Sequence, residues 1–319
     1  MKAVFLDFAT MGKDHLDPSP LIAVLPDLQI YDDTADDLRA ERTRDAEIVL
    51  ANKVRLDREI LEQAKALRFI GLTATGVDNV DVTIAAEHKI AVCNIRAYCT
   101  QSVVEHVFAV LLNLTHSIIP HRDTVRSGAW QNAQEFCMLD HPIRELSAMT
   151  MGVVGYGELG RGVVATARHF GMSVLIARRR GADVRSDDGR TDFDDLLVRS
   201  DVISLHCPLT DATRNLFGAG EFRKMKSDAI LINTARGALI DSAALVDALT
   251  SAQIAAAAID VLPQEPPVTG NPLLDYSGDN LILTPHIAWA TREARQNAIN
   301  ELAANVRAFL DGEKRCRIV

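Results

Sequence analysis

Met151-Gly152-Val153-Val154-Gly155-Tyr156-Gly157-Glu158-Leu159-Gly160 is an apolar, strand-forming run that breaks into three glycines spaced G-x-G-x-x-G and continues into a helix-like stretch, residues 161–169. That order of strand, glycine loop and helix describes a dinucleotide cradle. Gly155 makes the tight turn, Gly157 lets the backbone approach a pyrophosphate, and Gly160 lets the helix lie close on the strand. The helix N-terminus, with unpaired N–H groups and a partial positive charge, then faces the phosphates. Tyr156, Glu158 and Leu159 fill the loop between the glycines and are expected beside the cofactor with them.

Beyond this loop, short apolar runs recur at 173–177, 202–206, 229–233, 256–260 and 281–284, separated by helix-compatible or polar stretches. Six parallel strands of a doubly wound sheet follow from that alternation. Ahead of the loop, strand-like runs at 2–7, 48–51, 69–72 and 90–94, with a helical stretch at 58–66, repeat the pattern without a glycine fingerprint. Residues 102–118 form a long helix-permissive stretch, apolar on nearly all sides, as expected of a helix buried between domains or subunits. Residues 120–148 show little periodicity, and so long a structureless loop is expected to reach onto a partner subunit. Residues 291–310 carry Ile299, Leu302, Val306, Phe309 and Leu310 on one helical face and stop at Gly312.

A chain of 319 residues exceeds what one hydrophobic core usually organises, so two domains are expected. With 48% apolar and 24% charged residues the composition is that of a globular protein rather than a disordered one. A net charge of −9 argues against nucleic acid as a partner. No secretory leader and no apolar run of about 20 residues is seen, which leaves no membrane partner in the reading. The five cysteines, Cys93, Cys99, Cys137, Cys207 and Cys316, are odd in number and include no C-x-x-C, so neither a disulfide framework nor a metal site is expected. A reducing cytoplasm is the simplest home.

In open α/β sheets ligands bind beyond the carboxyl ends of strands, so the polar residues there are the first candidates. Arg236 follows the run 229–233, Asp260 ends the next, Glu265 lies in the proline-rich turn after it, and His286 follows 281–284. An arginine binds a carboxylate through two parallel N–H···O bonds, a geometry lysine does not reproduce. A histidine gives or takes the proton that accompanies hydride transfer, and a carboxylate beside it favours its charged form. Beside a nicotinamide, these groups describe reduction of a 2-keto acid or oxidation of the matching 2-hydroxy acid.

The whole chain resembles the D-isomer-specific 2-hydroxyacid dehydrogenase family. The likeness rests on the glycine loop, His206-Cys207-Pro208-Leu209-Thr210, Asn233-Thr234-Ala235-Arg236-Gly237, Asp260-Val261-x-x-x-Glu265-Pro266 and Thr284-Pro285-His286-Ile287. It implies an α/β protein of two Rossmann-like doubly wound parallel-sheet domains, with the active site in the cleft between them. The substrate domain would be discontinuous (1–99 plus 291–319), the dinucleotide domain would span 100–290, and the chain would form a homodimer. By the same likeness Arg236 binds and polarises the keto acid, His286 is the acid–base, Glu265 pairs with it, and Asp260 holds the nicotinamide carboxamide. His206, Cys207, Pro208, Thr213, Thr234 and Ala235 would lie along the cofactor. Asn52-Lys53-Val54, Ala74-Thr75-Gly76-Val77-Asp78-Asn79 and His286-Ile287-Ala288-Trp289-Ala290 resemble the glycerate dehydrogenases, or hydroxypyruvate reductases, within that family. The backbone at Gly76-Val77, with Thr75 beside it, would then receive the substrate carboxylate. Lys53 reads either as an added positive charge there or as an exposed lysine, and Trp289 either as a pocket wall or as core.

Two departures from the family pattern bear on the cofactor. NAD-specific members carry an acid at the end of the second strand of the dinucleotide fold, but here the stretch is Leu175-Ile176-Ala177-Arg178-Arg179-Arg180-Gly181, with no acid before Asp183. NADP, with NAD as the other possibility, is therefore the expected cofactor, its 2′-phosphate met by Arg178, Arg179 and Arg180. Glu158 adds a negative charge inside the glycine loop, so its side chain must point away or weaken binding. Small 2-keto acids such as hydroxypyruvate and glyoxylate are the expected substrates. The alternatives are a dinucleotide-sensing, corepressor-like binding protein of the same fold and a 3-phosphoglycerate dehydrogenase-like enzyme.

Overall fold

The computed structural model describes residues 1–12, 14–180 and 189–319, so Gly181 and Asp183 lie outside the described residues. The chain divides into two compact units, Met1–Cys99 with Trp289–Val319, and Thr100–Ala288.

The first unit is built on five parallel strands, β1 (Ala3–Phe5), β2 (Leu28–Ile30), β3 (Ile48–Ala51), β4 (Phe69–Leu72) and β5 (Ala91–Cys93), in the order β2-β1-β3-β4-β5. Strands β1, β3, β4 and β5 are buried along their whole length, as expected of a sheet covered on both faces. On one face Phe5, Leu50 and Phe69 pack with Ile299, Leu302 and Val306 of the helix Arg292–Leu310. That helix opens at Thr291, whose side chain accepts the Ala294 N–H, and the chain turns at Gly312. On the other face Val4, Val49 and Ile70 pack against Ile60, Leu61, Ile84 and Ala85 of the helices Arg58–Gln63 and Val82–Glu87. Asp57 and Asp81 cap those helices by accepting the N–H groups of Ile60 and Ile84. The final residues run antiparallel along β5: Ile318 N–H donates to the Val92 carbonyl at 2.8 Å, and Cys93 bridges Arg317.

The second unit carries six parallel strands, β6 (Thr150–Val154), β7 (Ser173–Ile176), β8 (Val202–Leu205), β9 (Ile230–Asn233), β10 (Ala256–Ile259) and β11 (Leu281–Leu283). Their order is β11-β10-β9-β8-β6-β7, and a parallel bridge from Ala177 to Thr191 extends it past β7. The order reverses between β6 and β8, which puts a ligand crevice at their carboxyl ends. Helix Glu158–His169 follows β6 as the glycine loop requires.

The elements depart from the expected ones at three places. Leu28–Ile30 is a strand that the hydrophobic pattern did not reveal, because this short edge is only partly buried. The apolar stretch expected at 102–118 is helix over Thr100–Thr115, packed in its own unit against the helix Glu158–His169 and β10, with Phe108 stacked on Phe170 at 5.2 Å. The stretch 120–148 is not structureless: a second helix, Ile118–Arg126, begins it, and 3-10 turns occupy Trp130–Asn132 and Leu146–Ala148. Among the described residues, no single helix is long and apolar enough to cross a membrane.

Candidate active site

The glycine loop closes against the strand next to β6. Gly155 has φ +98°, and a Cβ there would sit 2.5 Å from the Cys207 nitrogen and the His206 carbonyl carbon, so the end of β6 approaches the end of β8 as only glycine allows. A Cβ at Gly160 would collide with the Gly155 carbonyl, whereas one at Gly157 would meet open space. Adjoining this loop is a cavity of about 530 Å³. Among the expected cofactor residues, Gly155, Tyr156, Arg178, Arg179, Arg180, Cys207, Pro208 and Thr213 line it. Burial pushes the Cys207 thiol up to about 11 and His206 down to about 4, so both are neutral near pH 7. His206 shares a 2.8 Å hydrogen bond with the Ser204 hydroxyl through Nε2. His206 Nδ1 and Thr234 Oγ1 are buried with no hydrogen-bond partner among the described residues, so each is open to a bound group. Glu158 points elsewhere, its carboxylate accepting the Thr100 hydroxyl.

Arg190, which the sequence reading passed over, also lines the cavity, with its guanidinium 4.7 Å from the Tyr156 ring centre. Its neighbour Thr191 is paired into the sheet: the Arg178 N–H donates to the Thr191 carbonyl at 2.7 Å and the Thr191 N–H to Ile176 at 2.8 Å. Arg180 is matched with Glu221 at 3.0 Å and lies over the Phe193 ring.

The candidate catalytic residues emerge from the ends of β9, β10 and β11. Asn233, at the end of β9, folds the next turn: its Oδ1 accepts the Ala235 N–H at 3.0 Å and its Nδ2 donates to the Arg236 carbonyl at 2.9 Å. A Cβ on Gly237 would collide with the backbone of Leu262 and Pro263, so this turn lies directly on the segment leading to Glu265. Arg236 donates through Nη1 to the Ala235 carbonyl at 2.8 Å.

Asp260 is buried and holds the turn that carries His286. Its Oδ1 accepts the Thr284 hydroxyl at 2.5 Å and the Ile287 N–H at 2.9 Å, and its Oδ2 accepts the Ala288 N–H at 2.9 Å. His106, absent from the sequence reading, stands 3.9 Å from the same carboxylate and 3.3 Å from the Thr284 hydroxyl. His286 takes a left-handed backbone (φ +56°), a conformation costing a non-glycine residue about 1 kcal/mol or more. Its N–H is bonded to the carbonyls of Asp260 and Thr284 at 2.8 and 3.0 Å. The side chain is thereby aimed at Glu265: Nδ1 lies 2.5 Å from Oε2, and the other carboxylate oxygen accepts the Leu262 N–H at 2.8 Å. The pair fixes the imidazole's orientation and tautomer, with Nδ1 donating.

In the first unit the expected substrate loop follows β4. The Thr75 hydroxyl donates to the Ile95 carbonyl at 3.2 Å, the Thr75 carbonyl accepts from Asn94 at 2.7 Å, and Val77 packs on the core beneath. Lys53 is exposed beyond β3. Trp289 packs against the core of this unit, edge-on to Tyr98 at 6.4 Å.

Comparison with known proteins agrees with this fold. The sequence profile described as "D-isomer specific 2-hydroxyacid dehydrogenase, NAD binding domain" matches residues 108–288. The chain is 44% identical to a glycerate dehydrogenase of Methylorubrum extorquens over 273 residues, 86% of this chain and 85% of that one. It is 38% identical to a hydroxypyruvate reductase of Blautia hydrogenotrophica over 317 residues, 98% of both. Among solved structures, the acyclic imino acid reductase Bsp5, in complex with NADPH and D-Arg, superposes with a TM-score of 0.84 at 28% identity over the full length of both chains. The fold and the site define a nicotinamide-dinucleotide oxidoreductase. The chain belongs to the D-isomer-specific 2-hydroxyacid dehydrogenase family.

Proposed function

We propose that the protein reduces small 2-keto acids, hydroxypyruvate and glyoxylate first among them, to D-2-hydroxy acids, with NADP(H) preferred over NAD(H). The observation that carries the reading is the 2.5 Å His286–Glu265 pair at the end of the dinucleotide-binding sheet. A bound nicotinamide dinucleotide supplies the hydride. His286, with Nδ1 committed to Glu265, delivers a proton through Nε2 to the carbonyl oxygen of the keto acid. Arg236 binds the substrate carboxylate and polarises the carbonyl. Asp260 has accepted three hydrogen bonds, and a carboxylate offers about four lone-pair sites, so one remains for the nicotinamide carboxamide. In the first unit Lys53 and the backbone at Gly76–Val77, flanked by Thr75, receive the carboxylate, with Trp289 as an apolar wall. The unit formed by 1–99 with 289–319 is thus the substrate part and 100–288 the dinucleotide part, the second boundary falling two residues before the expected 290/291.

Four arginines lining one cavity, with no acid at the end of β7, support the NADP preference. The segment from the helix Ile118–Arg126 onward supports a homodimer: Trp130, Ile143, Leu139 and Phe136 are exposed, the last two by 80% and 90%. All five cysteines are free thiols, which suits a reducing cytoplasm.

Mixing the protein with NADPH and hydroxypyruvate, then with glyoxylate, and following reduced-nicotinamide absorbance tests the reading. Turnover supports it, whereas tight NADPH binding without turnover of any 2-keto acid favours a dinucleotide-sensing binding protein.

A further inference from the structure

The order of strands in the first sheet also reverses, between β1 and β3, and the chain segments leaving those two strands are joined there by a buried carboxylate. Asp7, just past β1, is 1% exposed. Its Oδ1 accepts the Asn52 N–H at 2.8 Å, and its Oδ2 accepts the N–H groups of Lys53 and Val54 at 2.6 and 3.0 Å. From the other side, Asn79 Nδ2 donates to the carbonyls of Val54 and Asn52 at 3.0 and 3.4 Å. Asn52 Nδ2 in turn donates to the Thr10 hydroxyl at 3.0 Å. The turn Asn52-Lys53-Val54 is thus gripped through its N–H groups by Asp7 and through its carbonyls by Asn79.

Burying a carboxylate is costly unless its hydrogen bonds are made, and three successive N–H groups converging on one point form the concavity that elsewhere binds external anions. Here the chain supplies its own anion. The grip spans two loops: Lys53 leaves β3, Asn79 ends the loop that leaves β4 and contains Gly76 and Val77, and the two strands are paired with Ala51 opposite Leu72. The clamped feature is therefore the relation between the Lys53 backbone and the Gly76–Val77 backbone.

We propose that Asp7 and Asn79 are positioning residues that hold Lys53 in register with the Gly76–Val77 backbone and so set the affinity for the carboxylate of the 2-keto acid. This rests on the carboxylate-binding role given above to Lys53 and Gly76–Val77. Apparent affinity falls in proportion to the fraction of molecules whose loops are correctly arranged, so loosening the clamp weakens substrate binding without removing any group that meets the substrate.

The test uses full-length Asp7→Asn, Asn79→Ala and Lys53→Met proteins and the Asp7→Asn/Lys53→Met double variant. Hydroxypyruvate KM and kcat, NADPH Kd by fluorescence, and Tm are measured on each. Loss of one charge-assisted hydrogen bond corresponds to roughly 10-fold or more. Asp7→Asn is expected to raise KM by about that factor and Asn79→Ala, which loses uncharged hydrogen bonds, by roughly 2- to 10-fold, with much smaller changes in kcat and NADPH Kd. The double variant is expected to be no worse in KM than Lys53→Met alone. A purely structural role would lower Tm and leave the KM of the folded fraction unmoved. Should Asp7→Asn fail to fold, Asn79→Ala carries the test, since it keeps the buried carboxylate and its three donors. An unchanged KM in the folded clamp variants beside an impaired Lys53→Met, or additive losses in the double variant, would overturn the proposal and leave the role of Lys53 standing. An unchanged KM in Lys53→Met would remove that role and this inference with it.

Discussion

Glu265 and His286 meet at 2.5 Å although 21 residues separate them, and Glu265 is itself anchored by the Leu262 N–H on its other oxygen. One carboxylate therefore connects the chain leaving β10 to the chain leaving β11. Glu265→Gln keeps an acceptor for Nδ1 and removes the charge. Turnover of hydroxypyruvate is expected to fall by roughly 10- to 100-fold, the scale of a charge-assisted hydrogen bond, while NADPH Kd stays within about twofold. Unaltered steady-state turnover would reduce Glu265 to a residue of the turn.

His286→Ala removes the proton donor itself. Turnover is expected to drop by roughly 10²–10⁴-fold, with NADPH binding retained in a fluorescence titration. A variant with near-native kcat would take His286 out of the chemistry.

Arg236→Lys preserves charge and loses the fork. We expect kcat/KM for hydroxypyruvate to fall by roughly 10- to 150-fold, because a point charge does not make two parallel bonds to a planar carboxylate. If the change weakens NADPH binding and leaves the keto-acid KM alone, Arg236 belongs to the dinucleotide instead.

Arg178→Asp reverses charge at the mouth of the arginine-lined cavity. The unmodified protein is expected to show a higher kcat/KM with NADPH than with NADH, an advantage residing mainly in KM and shrinking as salt rises. The variant should prefer NADH, since an acid there repels a 2′-phosphate. Equal efficiency of the two cofactors in the unmodified protein would contradict the assignment.

Asp201 gives a stability prediction with a defined sign. Burial alone raises its pKa, but the Thr150 N–H at 2.7 Å, Lys226 at 3.0 Å and Arg144 at 3.5 Å outweigh it and lower the value. A carboxyl group whose folded value is depressed stabilises the fold above its unfolded pKa of about 3.9, and that contribution is lost as pH falls through the folded value. Asp201→Asn should cost roughly 1–3 kcal/mol near pH 7 by thermal unfolding, with the gap to the unmodified protein closing below about pH 4. A gap that stays constant with pH would mean the charge contributes nothing.

The second sheet was legible because its strands are continuous apolar runs and its turns begin with residues that chemistry singles out: the glycines after β6, Arg236 after β9, His286 after β11. Strand Leu28–Ile30 escaped because a partly exposed three-residue edge carries no such run. Helix Ile118–Arg126 escaped because none of its residues is buried in the described chain, leaving no hydrophobic stripe to read. Asp7, His106 and Arg190, and the role of Asn79 within the stretch 74–79, were invisible for a different reason. Each acts through backbone groups, a hydroxyl or a ring brought near by the fold, and a side chain that serves partners dozens of positions away leaves no spacing in the sequence.

The antiparallel run of the last residues along β5 occupies the side of that strand opposite β4. An open flank of a parallel sheet offers a row of unmet N–H and C=O groups to any extended peptide, including another copy of itself. Residues 316–319 cover that flank of β5, so removing them should let copies pair along it, read as aggregation by light scattering while turnover per folded molecule holds.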